Sequence, residues 1–156
     1  MKSMVKTAAE SIHSHSLYFA SGALARQIEK MAKEAWKPSG LHPSLAHLLQ
    51  LILLGEVFSI SYPTFLSHDL LLSPSTLTRF LEKLEKKKLI TRFPYEHLVV
   101  VEPTQEAREL EPLLEQCESS FARQCHELLG EQETFNLSST LNRTTDLLAK
   151  RTVKAA

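Results

Sequence analysis

At 156 residues the chain is one domain, or one compact subunit with two lobes, and an apolar fraction of 43% supplies a core, which excludes a disordered tail. Its 18 Lys and Arg balance 18 Asp and Glu, so a net charge of zero argues against indiscriminate coating of nucleic acid but leaves room for a local basic patch. Two cysteines are too few for a disulfide scaffold, and no apolar run precedes Leu17 to act as a signal peptide, so the chain reads as cytoplasmic.

Four glycines among long stretches of Leu, Ala, Glu, Lys and Gln predict a mainly α protein. Residues 1–12 read as frayed. A long helix is expected from about Ser14 to Trp36, because Leu17, Ala20, Leu24, Ile28, Met31 and Ala35 recur every three or four residues. Lys37-Pro38-Ser39-Gly40 stops it. Pro43 opens a second helix that is apolar on most sides, is therefore central, and ends at Gly55. The most apolar window, Leu41 to Ile60, contains His42, His47, Gln50 and Glu56, which favours a buried helix over a membrane span. Pro63 marks a short third helix to about Leu70, and Leu71-Leu72 turns into the next one.

That next helix begins in the stretch SPSTLTRFLEKLEKKKLITR, Ser73 to Arg92. At about 100° per residue, Leu77, Phe80, Leu81 and Leu84 fall in one stripe, with Ser75, Arg79, Glu82 and Lys86 opposite and Thr76, Thr78 and Lys83 on the flanks. Ser73 can accept hydrogen bonds from the first free N–H groups, Pro74 fits the first helical position, and Lys86, Lys87 and Lys88 suit the negative end of the dipole. Six Lys and Arg stand against two Glu between Arg79 and Arg92. A capped helix with a short polar face and a basic end suits the DNA major groove, but it equally suits a solvated helix surface.

After Lys88 the period changes. Leu89–Phe93 and His97–Val101 read as a small hairpin around a Pro94-Tyr95-Glu96 turn. Thr104 caps a long helix to about Leu129, with a stripe of Leu110, Leu114, Cys117, Phe121, Cys125 and Leu128 and a bend expected at Pro112. Gly130 breaks the run, and a last helix covers about Glu131–Lys150, with Leu137, Leu141 and Leu148 along one side. Ten Glu and two Arg between Glu96 and Glu133 make an acidic block apart from the basic stretch.

This order of parts predicts a mainly α fold: a winged helix-turn-helix with long N- and C-terminal dimerisation helices and a small β-hairpin wing. The expected division is residues 1–40 for the N-terminal helix, 41–102 for the DNA-binding domain and 103–156 for the C-terminal helices. The terminal helices carry more apolar face than the central part can cover, which two copies packing together would bury.

Three segments carry a more specific likeness. Ser73–Arg92 looks like the recognition helix and first wing strand of the multiple antibiotic resistance regulator (MarR) family. Leu41-His42-Pro43-Ser44 resembles the opening of that family's second helix, and Glu102-Pro103-Thr104-Gln105-Glu106-Ala107 resembles the junction into its long fifth helix. The likeness spans about Leu17 to Leu148. It implies a homodimeric, sequence-specific transcriptional regulator, a repressor on a palindromic operator, relieved by a small-molecule effector. Expected partners are thus double-stranded DNA, a second copy of the chain and a small molecule, with no membrane and no cofactor. The chain departs from the family where Leu71 and Lys88 replace the usual glycines, leaving the geometry of those turns open. It departs again in the wing, whose Pro94-Tyr95-Glu96-His97 loop has no Arg.

No phosphate loop, nucleophile elbow or acid-base constellation is present in the sequence, so no enzyme and no catalytic residue is expected. The expected DNA contacts are Ser75, Thr76, Thr78, Arg79 and Lys83, with Arg92 at the base of the wing touching the backbone. Glu82 is expected to pair with Lys86. The resemblance places an effector pocket among the first, second and fifth helices, where Tyr18, Trp36 and His47 serve either as lining or as core. The seven His match no compact ligand motif, so no metal is expected, although His42 and His126 could converge. Cys117 and Cys125 lie about 12 Å apart along their helix, too far to bond to each other. The alternatives are a winged helix given over to protein–protein contact, favoured by the poor wing, and a metal- or oxidant-sensing regulator.

Overall fold

The computed structural model describes residues 15–57 and 70–154. The expected fraying of residues 1–12 lies outside the described residues, as does the short helix after Pro63 except for Leu70, which is helical. The chain divides into two compact units, Met1–Cys117 and Glu118–Ala156.

In the first unit, α1 spans Leu17–Trp36. It starts later than the periodicity suggests because Ser16 is extended (φ −93°, ψ 114°) and its hydroxyl accepts the Phe19 N–H at 3.4 Å. A 3-10 turn, Lys37–Ser39, follows, and Gly40 closes it at φ 71°. The Ser39 hydroxyl locks this corner, donating to the Trp36 carbonyl at 2.6 Å and accepting the Leu41 N–H at 3.1 Å. Helix α2 spans Pro43–Val57. Gly55 does not end it, since a glycine inside a packed helix costs only about 1 kcal/mol. His42 Nδ1 accepts the Ser44 N–H at 3.1 Å and Nε2 faces Glu29 Oε1 at 3.3 Å, so the ring proton belongs on Nε2 and ties α2 to α1. As its composition predicts, α2 is central: Leu45, Ala46, Leu48, Leu49, Ile52 and Leu53 are buried.

Helix α3 spans Pro74–Lys86, strand β1 Ile90–Tyr95 and strand β2 Leu98–Pro103. The strands pair antiparallel from Ile90↔Pro103 to Tyr95↔Leu98. The hairpin turn is therefore Glu96-His97, and Pro94 and Tyr95, expected in the turn, lie in the ladder. Helix α4 spans Gln105–Leu129 and is continuous through Pro112. Thr104 caps it, accepting the Ala107 N–H at 3.3 Å. Leu77, Leu81 and Leu84 of α3, Leu89, Ile90, Val101, and Ala107, Leu114 and Cys117 of α4 are buried with α2 in the core of this unit. The described residues thus have the capped helix, two-stranded wing and long terminal helices of the mainly α, winged-helix architecture read from the sequence.

The second unit holds the end of α4 and helix α5, Glu131–Lys154, joined through Gly130 at φ 86°. Thr134 Oγ1 donates to the Gly130 carbonyl at 2.8 Å. No residue from Glu118 to Arg151 is buried, and Leu128, Leu129, Phe135, Leu141, Leu147 and Leu148 are exposed.

Leu71 (φ 52°), Lys88 (φ 59°) and Glu96 (φ 54°) take left-handed conformations without being glycine. Lys88 sits in a Schellman turn: its N–H reaches the Glu85 carbonyl at 2.9 Å, and the Leu89 N–H reaches the Leu84 carbonyl at 3.0 Å. The geometry that glycine favours is kept with lysine in place. Lys88→Gly should therefore raise stability by about 0.5–1 kcal/mol, the relief of left-handed strain less the entropy glycine adds to the unfolded chain. Urea unfolding checks this. A lowered midpoint would mean that the lysine side chain itself holds the turn.

Candidate nucleic-acid interface

The N-terminus of α3 is set by Ser73, extended at φ −64° and ψ 149°, whose hydroxyl oxygen accepts the Thr76 N–H at 3.2 Å. The same hydroxyl donates to Thr76 Oγ1 at 2.9 Å and lies 3.2 Å from Ser75 Oγ. Pro74 follows at the first helical position. Burial of Leu77, Leu81 and Leu84 turns the opposite face outward, so Ser75, Thr78, Arg79, Glu82 and Lys83 are exposed and Thr76 is half-buried. Five of the six expected contact residues, Ser75, Thr76, Thr78, Arg79 and Lys83, thus share one helix and its outer side.

Their chemistry is not uniform. Thr78 Oγ1 donates to the Pro74 carbonyl at 2.9 Å, which leaves it a lone pair and a methyl group to present. Arg79 Nη2 lies 3.5 Å from Thr76 Oγ1, at the limit of a hydrogen bond, so its guanidinium is lightly held. Lys83 follows one turn after Arg79. The expected Glu82–Lys86 pair does not form. Both side chains stay in solvent, where such a pair contributes only a few tenths of a kcal/mol.

Arg92 is held elsewhere. Its Nε and Nη2 donate to a single oxygen of Glu85 at 2.9 and 2.6 Å. The sequence reading missed this pair because the partners lie seven residues apart across a turn. Alternation along the hairpin puts Arg92 on the inner side with Ile90 and Val101, both buried. The outer side of the wing carries Phe93, Tyr95 and Leu98, all exposed, and the exposed tip is Glu96-His97.

The three residues expected around an effector are not brought together. Tyr18 and Trp36 stand at opposite ends of α1, about 27 Å apart along the axis. Tyr18 is 81% exposed with its ring edge-on to Phe19, Trp36 is buried, and His47 is exposed. Among the described residues no group of three or more His, Cys, Asp or Glu could hold a metal ion. Both cysteines are free thiols. Burial pushes the Cys125 thiol up and the Glu118 carboxylate adds to the shift, which lowers the share of reactive thiolate.

No protein-family model matches the sequence, and no curated protein matches it. Solved structures do match in fold. The transcriptional repressor CouR, bound to p-coumaroyl-CoA, superposes with a TM-score of 0.75 at 19% identity, over 85% of this chain and 93% of that one. The S. aureus MepR–DNA complex gives 0.71 at 15% identity, over 86% and 98%. The oxidized form of MarR from E. coli gives 0.65 at 18% identity, over 83% and 94%. The fold is that of the MarR-family regulators.

Because a single hydroxyl organises the exposed end of α3, Ser73→Ala should cost about 1 kcal/mol of stability. Ser73→Gly should cost only a few tenths. Chemical unfolding of both variants checks this. Equal, small losses would mean that the cap adds little here.

Proposed function

We propose that a chain with this MarR-type fold is a sequence-specific DNA-binding transcriptional regulator that acts as a homodimer on a palindromic operator. The observation that carries the reading is α3: a capped helix, buried on its leucine side, that offers Ser75, Thr76, Thr78, Arg79 and Lys83 to solvent on one face. Such a helix lies in the major groove with its N-terminal residues against base edges. Arg79 can fork onto guanine, Ser75 and Thr76 can meet phosphate or base edges, and Lys83 suits phosphate. Arg92 Nη1, which takes no part in the bonds to Glu85, can reach the backbone. CouR and MepR are both described with DNA bound, and CouR also with a small molecule, which supports repression relieved by an effector. No helix among the described residues is long and apolar enough to cross a membrane, which is compatible with action in the cytoplasm.

Homodimerisation is supported by the second unit. A pair of helices that buries no side chain from Glu118 to Arg151 has no core of its own. Leu128, Phe135, Leu147 and Leu148 are apolar surface in this unit that a second copy would cover, and in the first unit Leu17 and Phe19 of α1 are exposed as well.

A second reading, a winged helix that contacts protein rather than DNA, is favoured by the wing. Its outer side exposes Phe93, Tyr95 and Leu98, its tip carries Glu96, and its arginine is engaged with Glu85. Salt separates the two readings, because only phosphate binding loses affinity steeply as salt rises.

Two outcomes are expected. Arg79→Ala should weaken binding to a duplex selected from a random pool by about 1–3 kcal/mol, while His97→Ala leaves it nearly unchanged. Fluorescence anisotropy at two salt concentrations measures both, and an Arg79→Ala protein that binds selected and mixed-sequence duplexes as well as wild type takes Arg79 out of the site. Sedimentation at micromolar concentration should give twice the chain mass of 17.6 kDa, and a monomer that still binds DNA would contradict the dimer.

A further inference from the structure

The ion pair between α3 and the wing carries an inference that rests on the DNA-binding reading. Glu85 lies on the border between the buried and exposed faces of α3, as its next-to-last residue, and Arg92 is the third residue of β1. Both donated hydrogen bonds, at 2.9 and 2.6 Å, fall on one carboxylate oxygen, Oε2. The side chains are 28% and 41% exposed for Arg92 and Glu85, so solvent screens the pair less than a surface bridge. Charge-assisted bonds of this length are the strong kind. The backbone between them is the Schellman turn at Lys88. A turn alone is one point of attachment, about which a two-stranded ribbon can swing. Thr104 and the buried Leu89, Ile90 and Val101 anchor the root of the wing, and the fork adds a side-chain link from β1 to α3 that stiffens the angle between them.

The wing has little charge of its own with which DNA could set that angle. The hairpin has no lysine and, besides Arg92, no arginine, and Glu96 at its tip repels phosphate. Electrostatics cannot draw such a wing into place, so its position must be built into the protein before the duplex arrives.

We propose that Glu85 is a positioning residue for DNA recognition: through Arg92 it holds the wing at the angle that lets α3 seat in the groove. The sign of the expected effect is what makes the proposal testable. Removing a negative charge from a DNA-binding face should raise affinity for every duplex if charge is all that matters. If Glu85 positions, Glu85→Gln loses discrimination instead.

The experiment titrates wild type, Glu85→Gln, Arg92→Ala and the double variant against a duplex selected from a random pool by the wild type and against a mixed-sequence duplex. Thermal unfolding of each protein runs beside it. Glu85→Gln should bind the selected duplex about three- to tenfold more weakly, the range expected of a coupled pair. It should bind the mixed duplex as well as wild type or better. The double variant should lose no more discrimination than Arg92→Ala alone, because both changes cut one link. A parallel gain on both duplexes would overturn the proposal in favour of simple charge. A parallel loss that follows a lowered unfolding midpoint would overturn it in favour of a structural role. A folded wild type that binds neither duplex removes the DNA-binding reading and this proposal with it, whereas wild-type discrimination retained in Glu85→Gln removes the proposal alone.

Discussion

The winged helix hangs on the backbone turn at Lys88. Four hydrogen bonds converge there. The Lys88 and Leu89 amides reach back to the Glu85 and Leu84 carbonyls, and Thr104 donates its hydroxyl to the Lys88 carbonyl at 2.7 Å and its amide to the Leu89 carbonyl at 3.0 Å. The last turn of α3, the first residue of the wing and the cap of α4 are thereby joined at one place. Thr104 serves two elements, since the same hydroxyl that donates to Lys88 accepts the Ala107 N–H of α4. A two-stranded ribbon is marginal by itself in water. This one begins its ladder at Ile90↔Pro103, beside that junction, and buries Leu89, Ile90 and Val101 close to it. The wing therefore takes its stability from its root rather than from its strands.

From that junction outward the chain sorts its side chains by what each can meet. The leucines of α3 go inward with the apolar side of α2, which leaves hydroxyls and cations as the exposed remainder. The carboxylate nearest the basic end, Glu85, is neutralised by Arg92, so it does not oppose the positive potential of Lys83, Lys86, Lys87 and Lys88. The ten Glu between Glu96 and Glu133 come later in the sequence than this basic stretch.

Much of this was legible in the sequence because it is local. The Ser73 cap, Pro74 at the first helical position, the Leu77–Leu81–Leu84 stripe and the Thr104 cap all depend on neighbours within four residues. The order of the elements was legible for the same reason. What escaped was decided by competition or distance. The start of α1 is set by the extended Ser16 and its hydroxyl, two residues after the start that the spacing suggests. Gly55 reads as a stop, yet burial of Ile52 and Leu53 on one side of α2 outweighs its propensity. Pro94 reads as a turn, yet it sits in the ladder opposite Val99. The grip of Glu85 on Arg92 needs the folded turn between them. The separation of Tyr18 from Trp36 is likewise set by length, since one helix keeps them at its two ends whatever their chemistry.

Pro94 has one more consequence. It can occupy the ladder only with its nitrogen turned away from β2, so the free edge of β1 lacks a donor there and carries a ring instead. An exposed ribbon bearing Phe93, Tyr95, Leu98 and Val99 is otherwise a ready template for stacking one molecule's strand on the next. With the proline next to the last residue of β1, a strand arriving on that edge cannot complete its hydrogen bonds near the tip. On the β1 edge, the wing thus presents its apolar side chains with its capacity for strand stacking reduced.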